Sequence, residues 1–102
     1  MEKTVLNEVF DYLKQIAVVN SESEFSKDWL GRSECYMRTL RFKQTQPSIG
    51  TLAICASKLH HYGNRLKDKQ EHSEISNKML NLCNACHNQI GALSKTYWMD
   101  EQ

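Results

Sequence analysis

The chain contains one proline and four glycines among 102 residues. Small strand-rich domains spend both residues on many turns, so this scarcity points to helices. No apolar run approaches membrane-spanning length, and the N-terminal stretch lacks an uninterrupted apolar segment with a small-residue cleavage site. The expectation is a cytoplasmic protein with no membrane partner. A charge excess is also missing: 13 Lys and Arg stand against 12 Asp and Glu, for a net charge of +1. The molecule as a whole does not advertise a polyanion partner, and any nucleic-acid argument rests on local clustering. Nor is there the composition of a disordered chain, since 40% of residues are hydrophobic and 25% charged, as in ordinary globular proteins. Gly-rich phosphate loops, a Gly-x-Ser-x-Gly elbow and a His-Glu-x-x-His helix are all absent, so no enzyme is expected. There is no internal repeat, and the length fits one domain.

What is present is helical periodicity. Residues 3 to about 19 place Leu6, Phe10, Leu13 and Ala17 on one stripe with Val9 and Ile16 beside it, which predicts an amphipathic helix ended by Asn20 and Ser21. Ser21-Glu22-Ser23-Glu24 has the capping-box form and opens a short second helix over 22–30, with Phe25 and Trp29 inward. Gly31 punctuates the chain, and Ser33 is the expected N-cap of a third helix over 33–41 whose inward positions are Met37 and Leu40. After the loop 43–47, Ser48 caps a fourth helix with Ile49, Leu52, Ala56 and Leu59 buried, and Ala53 and Cys55 adding small buried volume. Gly63 suits that helix's C-terminus, and 64–72 reads as a connection. A long final helix over 73–98 carries Ile75, Met79, Leu82, Cys86, Ile90, Leu93 and Tyr97 at steps of three and four. Such a stripe needs a partner, either the preceding helices or its copy in a second subunit.

Two basic clusters stand out. Arg32, Arg38, Arg41 and Lys43 face only Glu34 in their stretch, and Lys58, Arg65, Lys67 and Lys69 form the second. The first lies within the unbroken string Leu30-Gly31-Arg32-Ser33-Glu34-Cys35-Tyr36-Met37-Arg38-Thr39-Leu40-Arg41-Phe42-Lys43-Gln44-Thr45-Gln46-Pro47-Ser48-Ile49-Gly50-Thr51-Leu52. This string resembles the helix-turn-helix of the lambda-repressor and Cro-like (XRE) family. There a Leu-Gly turn closes the second helix, Ser or Thr opens the recognition helix, and Pro-Ser-apolar-x-Thr-Leu opens the fourth. The stretch 52–59, ending Ala-x-x-Leu, fits the same pattern. The resemblance covers about 25–59 and implies a second helix lying across the DNA backbone and a third entering the major groove. It implies that Glu34, Cys35, Arg38 and Thr39 read bases, while Arg32, Ser33, Lys43 and Thr45 grip phosphates. The sequence departs from the pattern at three places. Ser26 stands for the family's small Ala only if the turn before Gly31 is one residue longer, as Trp29-Leu30-Gly31 suggests, and Lys43 replaces the loop glycine. Arg41 replaces a glutamate that pairs with a first-helix arginine, which makes Asp11 or Glu8 its expected partner.

Cys83-Asn84-Ala85-Cys86-His87 has the form of a c-type haem attachment signature. Such attachment requires export, and Cys86 is already explained by the apolar stripe. A zinc site is the second reading of the same residues, with Cys83, Cys86 and His87, or His60, His61 or His72, as ligands. No second Cys pair at finger spacing exists, so small buried thiols and no cofactor are expected. In a reducing compartment the four cysteines are expected to stay thiols.

These readings combine into an all-α protein of five helices, lambda-repressor-like, with a helix-turn-helix DNA-binding domain over 1–66 (its core 22–59) and a C-terminal helix over 70–99 for dimerisation or added core. The expected function is a sequence-specific, DNA-binding transcriptional regulator that binds an inverted repeat in double-stranded DNA as a homodimer. A helical protein adaptor without DNA binding, and a metal- or haem-binding sensor built on Cys83, Cys86 and His87, are the alternatives.

Overall fold

The computed structural model describes residues 4–99, and these form an all-α fold with a long C-terminal helix. The order is α1 Val5–Gln15, α2 Glu22–Asp28, α3 Tyr36–Lys43, α4 Ile49–Leu66, a single 3₁₀ turn Gln70–His72, and α5 Ser73–Met99. No β-strand occurs among the described residues.

Capping chemistry sets the starts of three helices. Thr4 caps α1 in a reciprocal box with Asn7, whose side-chain oxygen accepts from the Thr4 N–H at 2.9 Å. Residue 3, where the expected first helix begins, lies outside the described residues. Ser21 caps α2 by accepting from the Glu24 N–H at 3.1 Å, but the Glu24 carboxylate reaches Asn20 in place of Ser21. Ser48 caps α4 by accepting from the Thr51 N–H at 3.2 Å.

α1 ends four residues earlier than its apolar spacing suggests. Val18 N–H closes onto the Leu13 carbonyl and Ala17 N–H onto Lys14, with Ala17 left-handed at φ 63°. This is the Schellman arrangement usually built with glycine. Ala17 is therefore exposed and off the stripe, while Val19 turns inward and is buried. Leu6, Val9, Phe10 and Leu13 supply the buried face of α1, and Phe10 meets Phe25 of α2 at 5.6 Å between ring centres.

The region between α2 and α3 differs from expectation at its boundaries. α2 ends at Asp28, and the Arg32 N–H returns to the Ser26 carbonyl six residues back, across Gly31 at φ +64°. That closure is one residue wider than the Schellman loop after α1. Ser26 is fully buried at this point. Ser33 is not the N-cap of the third helix: its carbonyl accepts from the Tyr36 N–H at 3.1 Å, completing a turn first. Cys35 occupies the cap position, with no side-chain hydrogen bond to the helix. α3 accordingly runs two residues beyond Arg41 and ends on Gln44 at φ 52°, which holds the left-handed position in place of the loop residue Lys43.

α4 and α5 form an antiparallel pair. Ser76 and Leu80 lie against Gly63, Cys86 meets Cys55, and Leu93 lies near Ile49, so residue numbers rise along α5 as they fall along α4. Gly63 is not a helix terminus. It sits inside α4 at a close crossing, where an added Cβ would fall 2.8 Å from a Leu80 methyl and 2.9 Å from its Cγ. The buried Ser76 hydroxyl donates to the Gly63 carbonyl at 2.7 Å across the same crossing. Ala53 is exposed, whereas Cys55, Ala56 and Leu59 are buried. Met79, Leu82, Cys83 and Cys86 place the first half of α5 in one core with α1, α2 and α4, and its stripe is partnered there within the chain. The last turn of α5 is different: Tyr97 is 71% exposed, and Trp98 and Met99 are exposed beside it. No helix among the described residues is long and apolar enough to cross a membrane.

Candidate nucleic-acid interface

α3 is eight residues long and has the sequence Tyr-Met-Arg-Thr-Leu-Arg-Phe-Lys, with three cations and no acidic side chain. Met37 is buried and Tyr36 and Leu40 are half-buried, which turns one side of the helix inward. At 100° per residue the opposite side carries Cys35, Arg38, Thr39 and Phe42. All four are exposed, and Phe42 is 89% exposed.

Neighbouring elements fix this helix. The Tyr36 hydroxyl accepts from the Ser48 N–H at 3.4 Å, tying the start of α3 to the start of α4. On one flank Arg41 Nη1 meets Glu22 Oε2 of α2 at 2.5 Å. The carboxylate that meets Arg41 is thus in the first turn of α2, in place of the Asp11 or Glu8 expected from α1. Its hydrogen bond pushes Arg41 further above the ordinary guanidinium value. On the other flank Thr39, Lys43 and Thr45 border a cleft of about 430 Å³ closed by Leu93 and Tyr97 of α5.

The eight residues singled out from the sequence are all exposed. Cys35, Arg38 and Thr39 share the outward face, and Arg38 Nη2 donates to Cys35 Sγ at 3.2 Å. Arg32, Ser33 and Glu34 belong to the turn that precedes the helix, where the Arg32 guanidinium lies 4.9 Å from the Tyr36 ring centre. Lys43 and Thr45 stand beside the end of α5. Phe42 is the residue that sequence reading passed over. The available signal was its spacing, seven residues after Cys35 and four after Arg38, which puts it on the same stripe.

The cysteines divide by environment. Cys35 is exposed, and Cys55, Cys83 and Cys86 are buried where α4 meets α5. Cys55 is pushed up from the ordinary thiol value, chiefly by its hydrogen bond with Cys86 and then by burial. Burial does the same to Cys83. His87 is exposed and does not join the thiols in the core. Among the described residues no group of three or more His, Cys, Asp or Glu side chains is placed to hold a metal ion.

Comparison with curated proteins and with solved structures finds no match. A family model does match, over residues 6–99, which includes nearly all of the described fold. The chain belongs to that family, a family of unknown function designated DUF6626.

Proposed function

We propose that the protein binds double-stranded DNA as a sequence-specific transcriptional regulator, with the outward face of α3 in the major groove. The observation that carries this reading is the composition of that helix: Arg38 and Lys43 beside the paired Arg41, no acidic residue, and an outward stripe of exposed side chains. A helix of this width fits the major groove, and the stripe offers groups of the kind that read base edges. Arg38 supplies a fork for guanine N7 and O6, Thr39 a hydroxyl, and Phe42 an apolar surface for a thymine methyl. Glu34 and Cys35 stand at the leading edge, where Glu34 suits a cytosine amino group. Arg32, Ser33, Lys43 and Thr45 serve the phosphates, which gives position without sequence information. Arg41 has a structural duty, since its guanidinium already pairs with Glu22. A homodimer on an inverted repeat follows from the geometry of half-sites. The exposed Tyr97, Trp98 and Met99 at the end of α5 supply the apolar surface for it.

Selection of bound sequences from a random duplex library tests the assignment of the reading face. Arg38→Ala and Thr39→Ala are expected to relax preference at one or two positions each, at a cost of about 1–3 kcal/mol per lost base contact. A selected sequence that is unchanged in both variants contradicts it. The second reading, a helical adaptor that docks another protein on the same face, is favoured by one observation, the 89% exposure of Phe42. It predicts no affinity for duplex DNA even at low salt.

A further inference from the structure

The second basic cluster of the sequence has no part in the interface described above. The fold gathers three of its members, Lys58, Arg65 and Lys69, with Lys27 of α2 around an open cleft of about 1100 Å³. Asp28 is the single carboxylate on its rim. Among the described residues no ion pair joins any of the four cations to a carboxylate. Four like charges around one cleft, in a chain of net charge +1, repel one another, and an anion held between them relieves that repulsion.

The cleft is not merely basic. Its wall includes Trp29 and Tyr62, with ring centres 5.6 Å apart and planes tilted by 42°. Leu66 and Met79 add an apolar floor. Trp29 is 5% exposed, and the Lys58 ammonium sits 4.8 Å from its ring centre while donating to the Asp28 carbonyl at the end of α2. Tyr62, in contrast, is 40% exposed, with the His61 ring edge-on to it at 5.0 Å between ring centres. Lys58 thus partly serves the fold, and Lys27, Arg65 and Lys69 are left as exposed cations around an aromatic and apolar wall.

We infer that this cleft is a binding site for a small organic phosphate that carries a flat aromatic group. A phosphate group brings close to two negative charges and three strong acceptor oxygens, which suits an Arg fork supported by ammonium groups. The flat group stacks on Tyr62, beside the Trp29 ring, and an Arg or Lys over an aromatic face adds a cation–π attraction. A few polar groups converging on an apolar wall is the usual constitution of a small-molecule site. The cleft lies at the Leu66 end of α4, whereas α3 meets α4 at its Ser48 end. The nearest α4 residue of the cleft, Lys58, is ten positions along the helix from Ser48, about 15 Å, and none of the cleft's lining residues belongs to α3. The site stands independently of the DNA reading.

Fluorescence of Trp29 reports directly on this cleft. A Trp98→Phe variant removes the other indole, which lies at the opposite end of α5. Titration of that protein at low salt uses three probes: adenosine 5′-diphosphate, inorganic pyrophosphate and adenosine. The nucleotide is expected to give a saturable change in Trp29 emission, with pyrophosphate and adenosine binding at least about tenfold more weakly. Arg65→Ala combined with Lys69→Ala is expected to weaken the nucleotide by at least about tenfold. Both side chains are exposed, and far-UV circular dichroism checks that the variant retains its helices. A nucleotide titration without a saturable change, equal binding by the double variant, or pyrophosphate binding as tightly as the nucleotide overturns the inference.

Discussion

Ser26 of α2 takes its hydroxyl into the core, where it is fully buried and finds no hydrogen-bond partner among the described residues. Burying a hydroxyl unsatisfied costs about 1–3 kcal/mol. Ser26→Ala removes the oxygen and keeps the volume, so it is expected to raise stability by about 1 kcal/mol, or roughly 4 °C in thermal midpoint for a domain of this size. A fall in the midpoint would mean that the hydroxyl has a partner. The burial of this position was not legible from residue type, since a serine in a short helix is as ordinary on the surface as in the core. The partner of Arg41 was not legible. Glu22 and Arg41 are 19 positions apart and meet only once the wide turn has set the angle between α2 and α3. Phe42 was hidden for a related reason: its 89% exposure depends on which side of α3 faces the core, not on its own hydrophobicity.

At the scale of elements, periodicity located all five helices, while their ends depended on backbone closures with weak sequence signals. Ala17 and Gln44 adopt left-handed conformations where glycine is usual, so nothing in the residue types marked those stops. Gly63 gave the opposite error, a residue typical of helix ends placed inside one. Its reason is contact, since Leu80 occupies the space that a side chain would need. Gly63→Val is therefore expected to destabilise the α4–α5 pair by about 2 kcal/mol in denaturant unfolding, as overpacked crossings do. An unchanged midpoint would show that α5 shifts freely. The same pair shields Cys55, Cys83 and Cys86, and burial and their mutual contact keep Cys55 and Cys83 in the unreactive thiol form. Brief iodoacetamide treatment at neutral pH, read by mass spectrometry, is expected to alkylate Cys35 alone in the native protein and all four cysteines after denaturation. Fast native labelling of the other three would contradict the packing of α5 on α4.

For the whole molecule, a net charge of +1 conceals an uneven surface. One group of cations lies on and around α3, and a second surrounds the cleft near Leu66. Composition alone suggested no polyanion partner; the order of residues separates the two groups, and the arrangement of the chain adds Lys27 of α2 to the second. The string from Leu30 to Leu52 made the turn, the exposed helix and the following cap legible, because local chemistry governs all three. How α5 returns along α4 to stand beside Lys43 and Thr45 was not legible, since a periodic stripe names no partner. The central claim is that α3 and its flanks meet DNA, and salt dependence of binding tests it most directly. Fluorescence anisotropy of a labelled random duplex, titrated from about 50 to about 200 mM salt, measures the phosphate contacts. The predicted result is a logarithmic affinity that falls linearly with the logarithm of salt, with the slope reduced by about one in each of Arg32→Ala and Lys43→Ala. No binding at the lowest salt, or slopes identical in both variants and the wild type, would contradict the account.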